Sequence, residues 1–261
     1  MKVHKAKKSL GQNFLKSELA LREIIKAGEI KKEDIILEIG PGKGALTERL
    51  LENSDHVIAI EKDRELFAFL QEKFKEEIMS KKLLLLEEDI LLFSVKEKKY
   101  KVIANIPYNI TGAILKKFLT EIYQPELMVL MVQHEVAKRI VAQNKKESIL
   151  SVSVKAYGTP KMIMKVPARY FSPAPKVDSA VIKIHSISRN LFIDNNIKEE
   201  KFWGIIHAGF AHKRKVLIGN LKDVYKKNNW LEILEKVGLT KNTRAEDVRL
   251  EEWIRLLSLV K

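Results

Sequence analysis

The sequence contains no cysteine in its 261 residues. This absence excludes a disulfide scaffold, a zinc site built from thiolates and a thiol nucleophile. Long apolar runs are also missing, because the longest, at 127–132, is far shorter than the roughly 18 residues of a membrane span. The first residues are rich in lysine, but no apolar stretch follows them, so a secretory signal is not expected. We therefore expect a globular protein of the cytoplasm that has no membrane partner.

Acidic residues are too few to balance the basic ones. The sequence has 48 Lys and Arg against 34 Asp and Glu, which gives a formal net charge of +14. The excess is spread along the chain, with a net +5 from residue 186 onward and +9 before it. Hydrophobic residues make up 46%, which is enough for a folded core. A polyanion, and nucleic acid above all, is the expected partner, although a lysine-rich composition alone gives the same charge.

Apolar runs that alternate with helical patterns organise the first part of the chain. Five runs have the length and composition of buried strands, and they lie at 34–39, 56–60, 83–86, 100–104 and 127–132. Segments between them have helical periodicity, as at 66–78. This alternation predicts a parallel sheet with helices on both faces. Two further strands, at 162–166 and 180–184, are predicted to pair at the edge of that sheet.

Beyond about residue 190 the patterns are helical only. Apolar residues at helical spacing predict helices around 202–210, 231–234 and 253–257, and all three tryptophans lie in this part. We therefore predict two domains, a first one over 1–188 and a small helical one over 189–261.

A glycine-rich turn follows the first predicted strand, at residues 38–45 (EIGPGKGA). Glycines there let a ligand approach the backbone at a helix N-terminus. Gly40, Gly42 and Ala45 fit the G-x-G-x-x-G/A pattern of dinucleotide sites, and Glu61 lies near the position that binds ribose hydroxyls. A nicotinamide-dependent dehydrogenase is therefore open on this motif alone. The spacing does not fit a P-loop.

Acidic residues follow the second and third predicted strands. A carboxylate at Glu61 can accept hydrogen bonds from both ribose hydroxyls, and one at Asp89 can accept from an adenine amino group. Solvated charges at strand ends are the simpler interpretation, above all for Asp89, which follows two other acidic residues.

The segment Asn105-Ile106-Pro107-Tyr108 follows the fourth predicted strand. After a glycine turn of this kind, Asn-(Leu/Ile)-Pro-Tyr resembles the motif of adenine-N6 methyltransferases that use S-adenosylmethionine. Three further segments resemble motifs of one family, the ribosomal RNA adenine dimethyltransferases, and they are 9–15 (SLGQNFL), 171–179 (FSPAPKVDS) and 210–215 (FAHKRK). The resemblance covers nearly the whole chain.

This resemblance implies a fold and a cofactor. The fold is a Rossmann-like α/β class I methyltransferase, with a mostly parallel seven-stranded sheet, helices on both faces and a small all-helical C-terminal domain. The cofactor is S-adenosyl-L-methionine, which removes the nicotinamide alternative, and no metal is required. The residues expected to bind the cofactor are Gln12, Asn13, Leu15, Gly40, Gly42, Glu61, Asp89, Ile90 and Asn105.

The expected chemistry holds a target adenine beside the methyl donor. Its exocyclic amine is a weak nucleophile because the lone pair is delocalised into the ring. The Asn105 side-chain oxygen and a backbone carbonyl of Ile106 or Pro107 can accept its N–H groups and relieve the charge that develops. Tyr108 is expected to stack on the base, and the resemblance assigns a second aromatic wall to Phe171. The methyl group would then pass directly from sulfur to nitrogen.

The resemblance also implies a substrate. We expect dimethylation of two adjacent adenosines near the 3′ end of small-subunit 16S rRNA, in an assembling small ribosomal subunit, by a monomeric enzyme. Two alternatives stay open, namely the large-subunit 23S rRNA enzyme of macrolide resistance and an assembly factor that only binds. The residues expected to contact RNA phosphates are Lys213, Arg214 and Lys215, together with Lys2, Lys5, Lys7 and Lys8 near the N-terminus.

Overall fold

The computed structural model describes Lys7 and residues 11–260, and the chain divides into two compact units. The first unit runs to Ala137 and includes Thr159–Ile187, whereas the second combines Lys138–Gly158 with the chain from Ser188 onward. The expected domain boundary near residue 188 coincides with one of these limits. Residues 138–158 differ from expectation, because they cluster with the second unit rather than with the sheet.

The strands correspond to the apolar runs of the sequence, apart from two very short ones. In chain order they are β1 (Phe14–Leu15), β2 (Ile35–Ile39), β3 (His56–Glu61), β4 (Leu83–Glu87), β5 (Lys101–Asn105), β6 (Leu127–Gln133), β7 (Thr159–Val166), β8 (Phe171–Ser172) and β9 (Ser179–His185). The seven predicted strands are β2–β7 and β9.

The helices flank the sheet in the first unit and build the second. In chain order they are α1 (Glu18–Gly28), α2 (Ala45–Asn53), α3 (Arg64–Lys73), α4 (Lys75–Met79), α5 (Thr111–Thr120), α6 (His134–Val141), α7 (Ile149–Lys155), α8 (Asn190–Asp194), α9 (Glu199–Gly209), α10 (Leu217–Val224), α11 (Trp230–Lys236) and α12 (Leu250–Leu259).

 Helices that could cross a membrane are absent from the part of the chain that the structure describes.

The central sheet of the first unit has the strand order β4-β3-β2-β5-β6-β9-β7 within residues 11–260. The pairs from β4 to β6 are all parallel, and β9 is antiparallel to both of its neighbours, β6 and β7. The predicted seven-stranded, mostly parallel sheet with its edge pair is therefore confirmed. The direction of strand succession reverses between β2 and β5. Open α/β sheets bind ligands outside the carboxyl ends of the strands at such a switch point.

Local sequence explains where two of the flanking helices begin. The Ser17 hydroxyl accepts the Ala20 N–H at 3.3 Å at the start of α1, and an Asp63 carboxylate oxygen accepts the Glu65 N–H at 3.0 Å at the start of α3. Both caps satisfy amides that a helix leaves without an intrahelical partner.

A second, two-stranded sheet joins β1 to β8. Leu15 lies opposite Phe171, Phe14 lies opposite Ser172, and the Lys16 N–H donates to the Tyr170 carbonyl at 2.8 Å. This pairing holds the N-terminal segment against the chain that leads into β9. The sequence did not predict it, because two-residue strands have no periodicity to detect.

The second unit is helical, and aromatic side chains fill its core. Phe202, Trp230 and Trp253 are inaccessible to solvent. Residues 138–158 pack with this unit, as shown by the Tyr157 ring, whose centroid lies 5.2 Å from that of Phe192. Local sequence does not predict this contact, because the two residues are far apart along the chain. Helices α7, α8 and α10 were not predicted.

Candidate active site

A cavity of about 470 Å³ lies at the carboxyl ends of the parallel strands, entirely within the first unit. Its walls come from the N-terminal segment and from the loops that follow β2, β3, β4 and β5. The predicted site residues that line it are Gln12, Asn13, Leu15, Gly40, Gly42, Glu61, Asp89, Ile90, Asn105, Ile106, Pro107 and Tyr108. The fold thus brings motifs that are far apart in sequence to one cavity.

The glycine turn between β2 and α2 shapes one wall. Gly40 has a φ of +63°, and a Cβ built on it would meet nothing within 4 Å among the described residues. Its N–H donates to the Ile60 carbonyl at 2.9 Å, so the backbone is fixed while the space beside it stays open. Gly44 differs, because a Cβ there would lie 2.5 Å from the ring of Phe74. Gly40 therefore leaves room for a ligand, and Gly44 allows close packing.

Glu61, the last residue of β3, presents a nearly buried carboxyl to the cavity. Its Oε2 accepts the Gly42 N–H at 3.1 Å, and its Oε1 accepts the Asp63 N–H at 2.8 Å. Burial raises the pKa of the Glu61 carboxyl, and these backbone donors partly offset the effect. Each oxygen keeps further acceptor capacity, so the group can still accept two ribose hydroxyls.

Glu38 is a second carboxyl at the cavity, and the sequence analysis gave it no role. Its side chain is 1% exposed, and its Oε2 accepts the Thr47 hydroxyl at 2.7 Å. Burial, with a smaller contribution from the nearby Glu61 carboxylate, raises the pKa of Glu38 to about 8. The carboxyl therefore holds a proton at neutral pH, which lets it lie beside Glu61 without a second negative charge.

We expect this proton to make stability depend on pH. In the unfolded chain Glu38 returns to its ordinary pKa of 4.5, so between about pH 4.5 and 8 the folded state binds more protons than the unfolded state. The free energy of unfolding then falls as pH rises through this window, by at most about 1.4 kcal/mol per pH unit for one group. Glu38→Gln is expected to flatten this fall in urea titrations at pH 5.5, 6.5 and 7.5.

Wild type and Glu38→Gln must be compared at each pH, because in both proteins Glu61 also makes the free energy of unfolding fall as pH rises. The pKa of the Glu61 carboxyl is also raised by burial, and the substitution leaves that group in place. An equal slope in wild type and Glu38→Gln would show that Glu38 carries no extra proton in the folded state.

Asp89, just after β4, lies at the same edge of the sheet. Its Oδ2 accepts Lys62 Nζ at 2.7 Å, and its Oδ1 accepts the Leu91 N–H at 2.9 Å. The Lys62 ammonium lowers the pKa of the Asp89 carboxyl, so the group is charged at neutral pH. Ile90 beside it is buried. An acceptor next to an apolar side chain suits an adenine ring and its amino group.

Asn105 ends β5, and its side-chain amide is oriented by the N-terminal segment. Its Nδ2 donates to the Asn13 carbonyl at 3.2 Å, which leaves its Oδ1 with no hydrogen-bond partner in the described part of the chain. The Pro107 carbonyl accepts the Ile110 N–H at 3.3 Å as the chain enters a short 3₁₀ helix, Tyr108–Ile110. The Ile106 carbonyl receives no such bond from the described residues. Asn105 Oδ1 and the Ile106 carbonyl are therefore the acceptors available here.

Tyr108 is held by a residue that the sequence analysis quoted but gave no role. Its hydroxyl lies 2.5 Å from the Ser179 Oγ, and Ser179 is fully buried at the start of β9. Burial raises the pKa of Tyr108, so the phenol is neutral. This contact connects the Asn105–Tyr108 motif to the last residue of the 171–179 motif.

The N-terminal segment contributes backbone and side chains to the cavity. Ser9 and Leu10 of the quoted motif lie outside the described residues. Gln12 lines the cavity, but its Nε2 donates to Asp63 Oδ2 at 2.7 Å and its Oε1 accepts the Lys7 N–H at 2.8 Å. The amide of Gln12 therefore ties the segment down.

Phe171, which we expected to form a second aromatic wall, is not among the residues that line the cavity. Its side chain is 2% exposed and belongs to the hydrophobic core, and only its neighbour Ser172 lines the cavity. The reason is the alternation of β8, in which consecutive side chains point to opposite faces. Besides Tyr108, an aromatic ring that lines the cavity is that of Phe14, which lies 3.1 Å from a Cβ built on Gly42. Phe14 belongs to the quoted 9–15 motif, so the signal was present but unassigned.

The expected RNA contacts differ in their surroundings. Lys213, Arg214 and Lys215 are exposed on the turn between α9 and α10 of the second unit. Lys7 differs, because its Nζ pairs with Asp63 Oδ1 at 2.8 Å inside the first unit. Lys2, Lys5 and Lys8 lie outside the described residues.

The strand order, the glycine turn and the carboxyls at the end of β3 and just after β4 define a class I methyltransferase with a cavity suited to a nucleoside cofactor. A family model described as ribosomal RNA adenine dimethylase matches residues 3–261. The chain belongs to this family, and it is therefore a methyltransferase of ribosomal RNA adenine.

Relatives and solved structures agree with this assignment. A ribosomal RNA small subunit methyltransferase A from Dehalococcoides mccartyi (strain CBDB1) is 41% identical over 97% of this chain and 87% of its own length. The protein of that name from Rippkaea orientalis is 39% identical over 98% of this chain and 97% of its own.

Two solved structures cover almost the whole fold. A dimethyladenosine transferase from Plasmodium falciparum has a TM-score of 0.79 and 26% identity, over 93% of this chain and 95% of its own. The 23S rRNA methyltransferase ErmE has a TM-score of 0.79 and 25% identity, over 95% of this chain and 99% of its own. The overall fold is thus equally similar to a dimethyladenosine transferase and to a 23S rRNA methyltransferase.

Proposed function

We propose that this protein transfers methyl groups from S-adenosyl-L-methionine to the N6 atoms of two adjacent adenosines near the 3′ end of small-subunit 16S rRNA. The observation that carries the proposal is the meeting of two half-sites at one cavity. Gly40 and Glu61 line the part suited to a nucleoside, and Asn105 and Tyr108 line the part suited to an adenine. We further propose that the enzyme acts in the cytoplasm as a monomer, on a small subunit that is still assembling.

The residues of the cavity fit the proposed methyl donor. The open space beside Gly40 accepts a group close to the backbone, and the Glu61 carboxylate can accept the ribose hydroxyls. Asp89 and Ile90 offer an acceptor and an apolar surface to the adenine. When bound, S-adenosylmethionine supplies an electrophilic methyl group on a sulfonium.

The residues of the chain supply orientation and charge stabilisation. Asn105 Oδ1 and the Ile106 carbonyl can accept the two N–H groups of a target adenine amine, which stabilises the positive charge that forms on that nitrogen. The Asn105 Nδ2 bond to the Asn13 carbonyl keeps the oxygen of the amide available for this contact. The Tyr108 ring can stack on the base, which has to leave its own stack to reach the cavity.

The preference for the small subunit rests on sequence similarity. Relatives named for the small subunit are about 40% identical over nearly the whole chain, whereas the 23S enzyme shares 25%. The direct experiment supplies radiolabelled S-adenosylmethionine with separate small and large ribosomal subunits from an unmethylated strain, followed by mapping of the labelled nucleotide. We expect dimethyladenosine at two adjacent positions of the small-subunit RNA, and label confined to the large subunit would refute the proposal.

The exposed basic turn of the second unit is proposed to contact RNA phosphates. Its shape is fixed by Asn220, whose buried Nδ2 donates to the Gly209 carbonyl at 2.6 Å and to the His212 carbonyl at 3.2 Å. Replacing Lys213, Arg214 and Lys215 together by Ala is expected to weaken RNA binding. Each lost phosphate contact should also reduce the slope of log K against log salt by roughly 0.7–0.9.

Filter binding or fluorescence anisotropy at several salt concentrations measures this slope. The matched control replaces three exposed lysines between β4 and β5 by Ala, namely Lys96, Lys98 and Lys99. This control removes the same charge from the protein and is expected to leave the slope nearly unchanged. Equal slopes for wild type and the basic-turn variant would argue against the proposed contact.

A further inference from the structure

Asp63 makes more contacts than its position as a helix cap requires. An N-cap needs one oxygen for a backbone amide, which Asp63 provides to Glu65. Its carboxylate also accepts Lys7 Nζ at 2.8 Å and Gln12 Nε2 at 2.7 Å, while the residue as a whole is only 3% exposed. These two donors come from the segment that runs along the cavity, 51 and 56 positions away in sequence.

We define the N-terminal strap as Lys7 and residues 11–16. All of residues 11–16 line the cavity, and the Asn13 carbonyl in the strap orients Asn105. The far end of the strap is held by the pairing of β1 with β8. Asp63 holds the near end through Lys7 and Gln12, so the strap is fixed on both sides of the cavity.

The backbone of Asp63 is connected to the ribose-binding position. Its N–H donates to Glu61 Oε1 at 2.8 Å, and the other oxygen of Glu61 accepts the Gly42 N–H at 3.1 Å. One residue therefore joins the strap to Glu61, and through it to the glycine turn. Burial raises the pKa of the Asp63 carboxyl, but the hydrogen bonds from Lys7 and Gln12 outweigh this effect and lower it. The Asp63 side chain is therefore a carboxylate that can pair with the Lys7 ammonium.

We propose that Asp63 is a positioning residue for cofactor binding, whose carboxylate fixes the strap across the cavity while its backbone N–H holds the Glu61 carboxylate. This inference rests on the proposed function, because it assumes that the cavity binds S-adenosylmethionine. It assigns Lys7 to the cofactor site rather than to RNA, and it makes Gln12 a supporting residue. A residue that served only as a helix cap would have no energetic connection to Lys7 during cofactor binding.

Asp63→Ser separates the two roles. Serine is as good an N-cap as aspartate, but its side chain is too short and uncharged to hold Lys7 and Gln12 together. Lys7→Met breaks the strap contact from the other side, keeps the length of the side chain and leaves α3 untouched. The control is Glu65→Gln, since Glu65 is the more exposed partner of Lys7, at 3.2 Å.

The measurement is the Kd of S-adenosylmethionine by calorimetry on the full chain. We expect a roughly 10-fold increase for Asp63→Ser and a several-fold increase for Lys7→Met, because charge-assisted hydrogen bonds are among the stronger ones. The double variant should bind about as weakly as Asp63→Ser alone, since both changes remove the same contact. Glu65→Gln should bind like wild type. Amide hydrogen exchange of residues 11–15 without cofactor should be faster in both single variants.

The outcomes distinguish this inference from the function on which it rests. A wild-type protein that does not bind S-adenosylmethionine would refute the proposed function. If the wild type binds, an unchanged Kd in Lys7→Met or additive losses in the double variant would overturn the proposed role of Asp63. The proposed function would still stand. Lys7→Met keeps the test valid even where Asp63→Ser disturbs folding.

Discussion

The Asn105→Ala protein is expected to transfer methyl groups about 10²–10³-fold more slowly than the wild type, the range seen when one preorganised charge-stabilising group is removed. The change removes Oδ1, one of two acceptors available to a target amine, and also the Nδ2 bond to the Asn13 carbonyl. Single-turnover transfer to small subunits measures the loss directly. Cofactor Kd is expected to change much less, because the nucleoside portion contacts other residues of the cavity.

The control for Asn105→Ala removes an amide elsewhere in the same unit. Asn53→Ala takes away an Nδ2 bond to the Arg49 carbonyl at the end of α2, so its rate should stay close to wild type. Circular dichroism and RNA binding should be unchanged in both variants. Full transfer by Asn105→Ala would show that Asn105 Oδ1 does not stabilise the reacting amine, and it would remove the main chemical argument for this site.

The central sheet was predictable because its inner parallel strands, β2, β3, β5 and β6, are buried on both faces. Buried parallel strands form continuous apolar runs, such as 127–132, and such runs stand out from the amphipathic helices between them. The cavity was predictable for a related reason. Parallel strands end at the same edge, so polar residues directly after them, such as Glu61 and Asn105, must lie near one another.

Contacts between distant segments could not be predicted from one sequence. Ser179 reaches the Tyr108 hydroxyl across 71 positions, and Asp63 reaches Lys7 across 56. The burial of Phe171 is equally hidden, since a two-residue strand has no periodic pattern that shows which side chain faces the cavity. Which of the two side chains faces the cavity depends on the orientation of β8, and the pairing of β8 with β1 sets that orientation.

Helix α7 shows how tertiary packing overrides local preference. Its sequence, ILSVSVK, is rich in β-branched residues, which favour strands, and in serine, which favours caps and turns. A capping box between Ser148 and Ser151 begins the helix, and burial of Val152 and Val154 stabilises it. Neither the box nor the burial produces a periodic apolar pattern in a segment this short.

Two alanine substitutions in the glycine turn are expected to fail in different ways. Both Gly40 and Gly44 have positive φ, so each change costs about 1–2 kcal/mol of backbone strain. A Cβ at Gly40 enters open space at the cavity, so Gly40→Ala should lose most of its cofactor affinity with little further loss of stability. A Cβ at Gly44 overlaps the buried ring of Phe74, so Gly44→Ala should lose roughly another 1–3 kcal/mol of stability.

Urea denaturation and cofactor calorimetry on both variants separate these effects, and a second substitution tests the cause. Phe74→Leu removes the ring atoms that a Cβ at Gly44 would meet at 2.5 and 2.8 Å. In the Gly44→Ala background Phe74→Leu should therefore cost less stability than in the wild type. The smaller side chain relieves the overlap with the Cβ that Gly44→Ala introduces, and this Cβ fills part of the space that the lost ring leaves. Gly40→Ala offers no such relief, so there the Phe74→Leu cost should be the wild-type one. Strict additivity in both backgrounds would show that the third glycine of the turn is required for its backbone conformation and not for packing against α3 and Phe74.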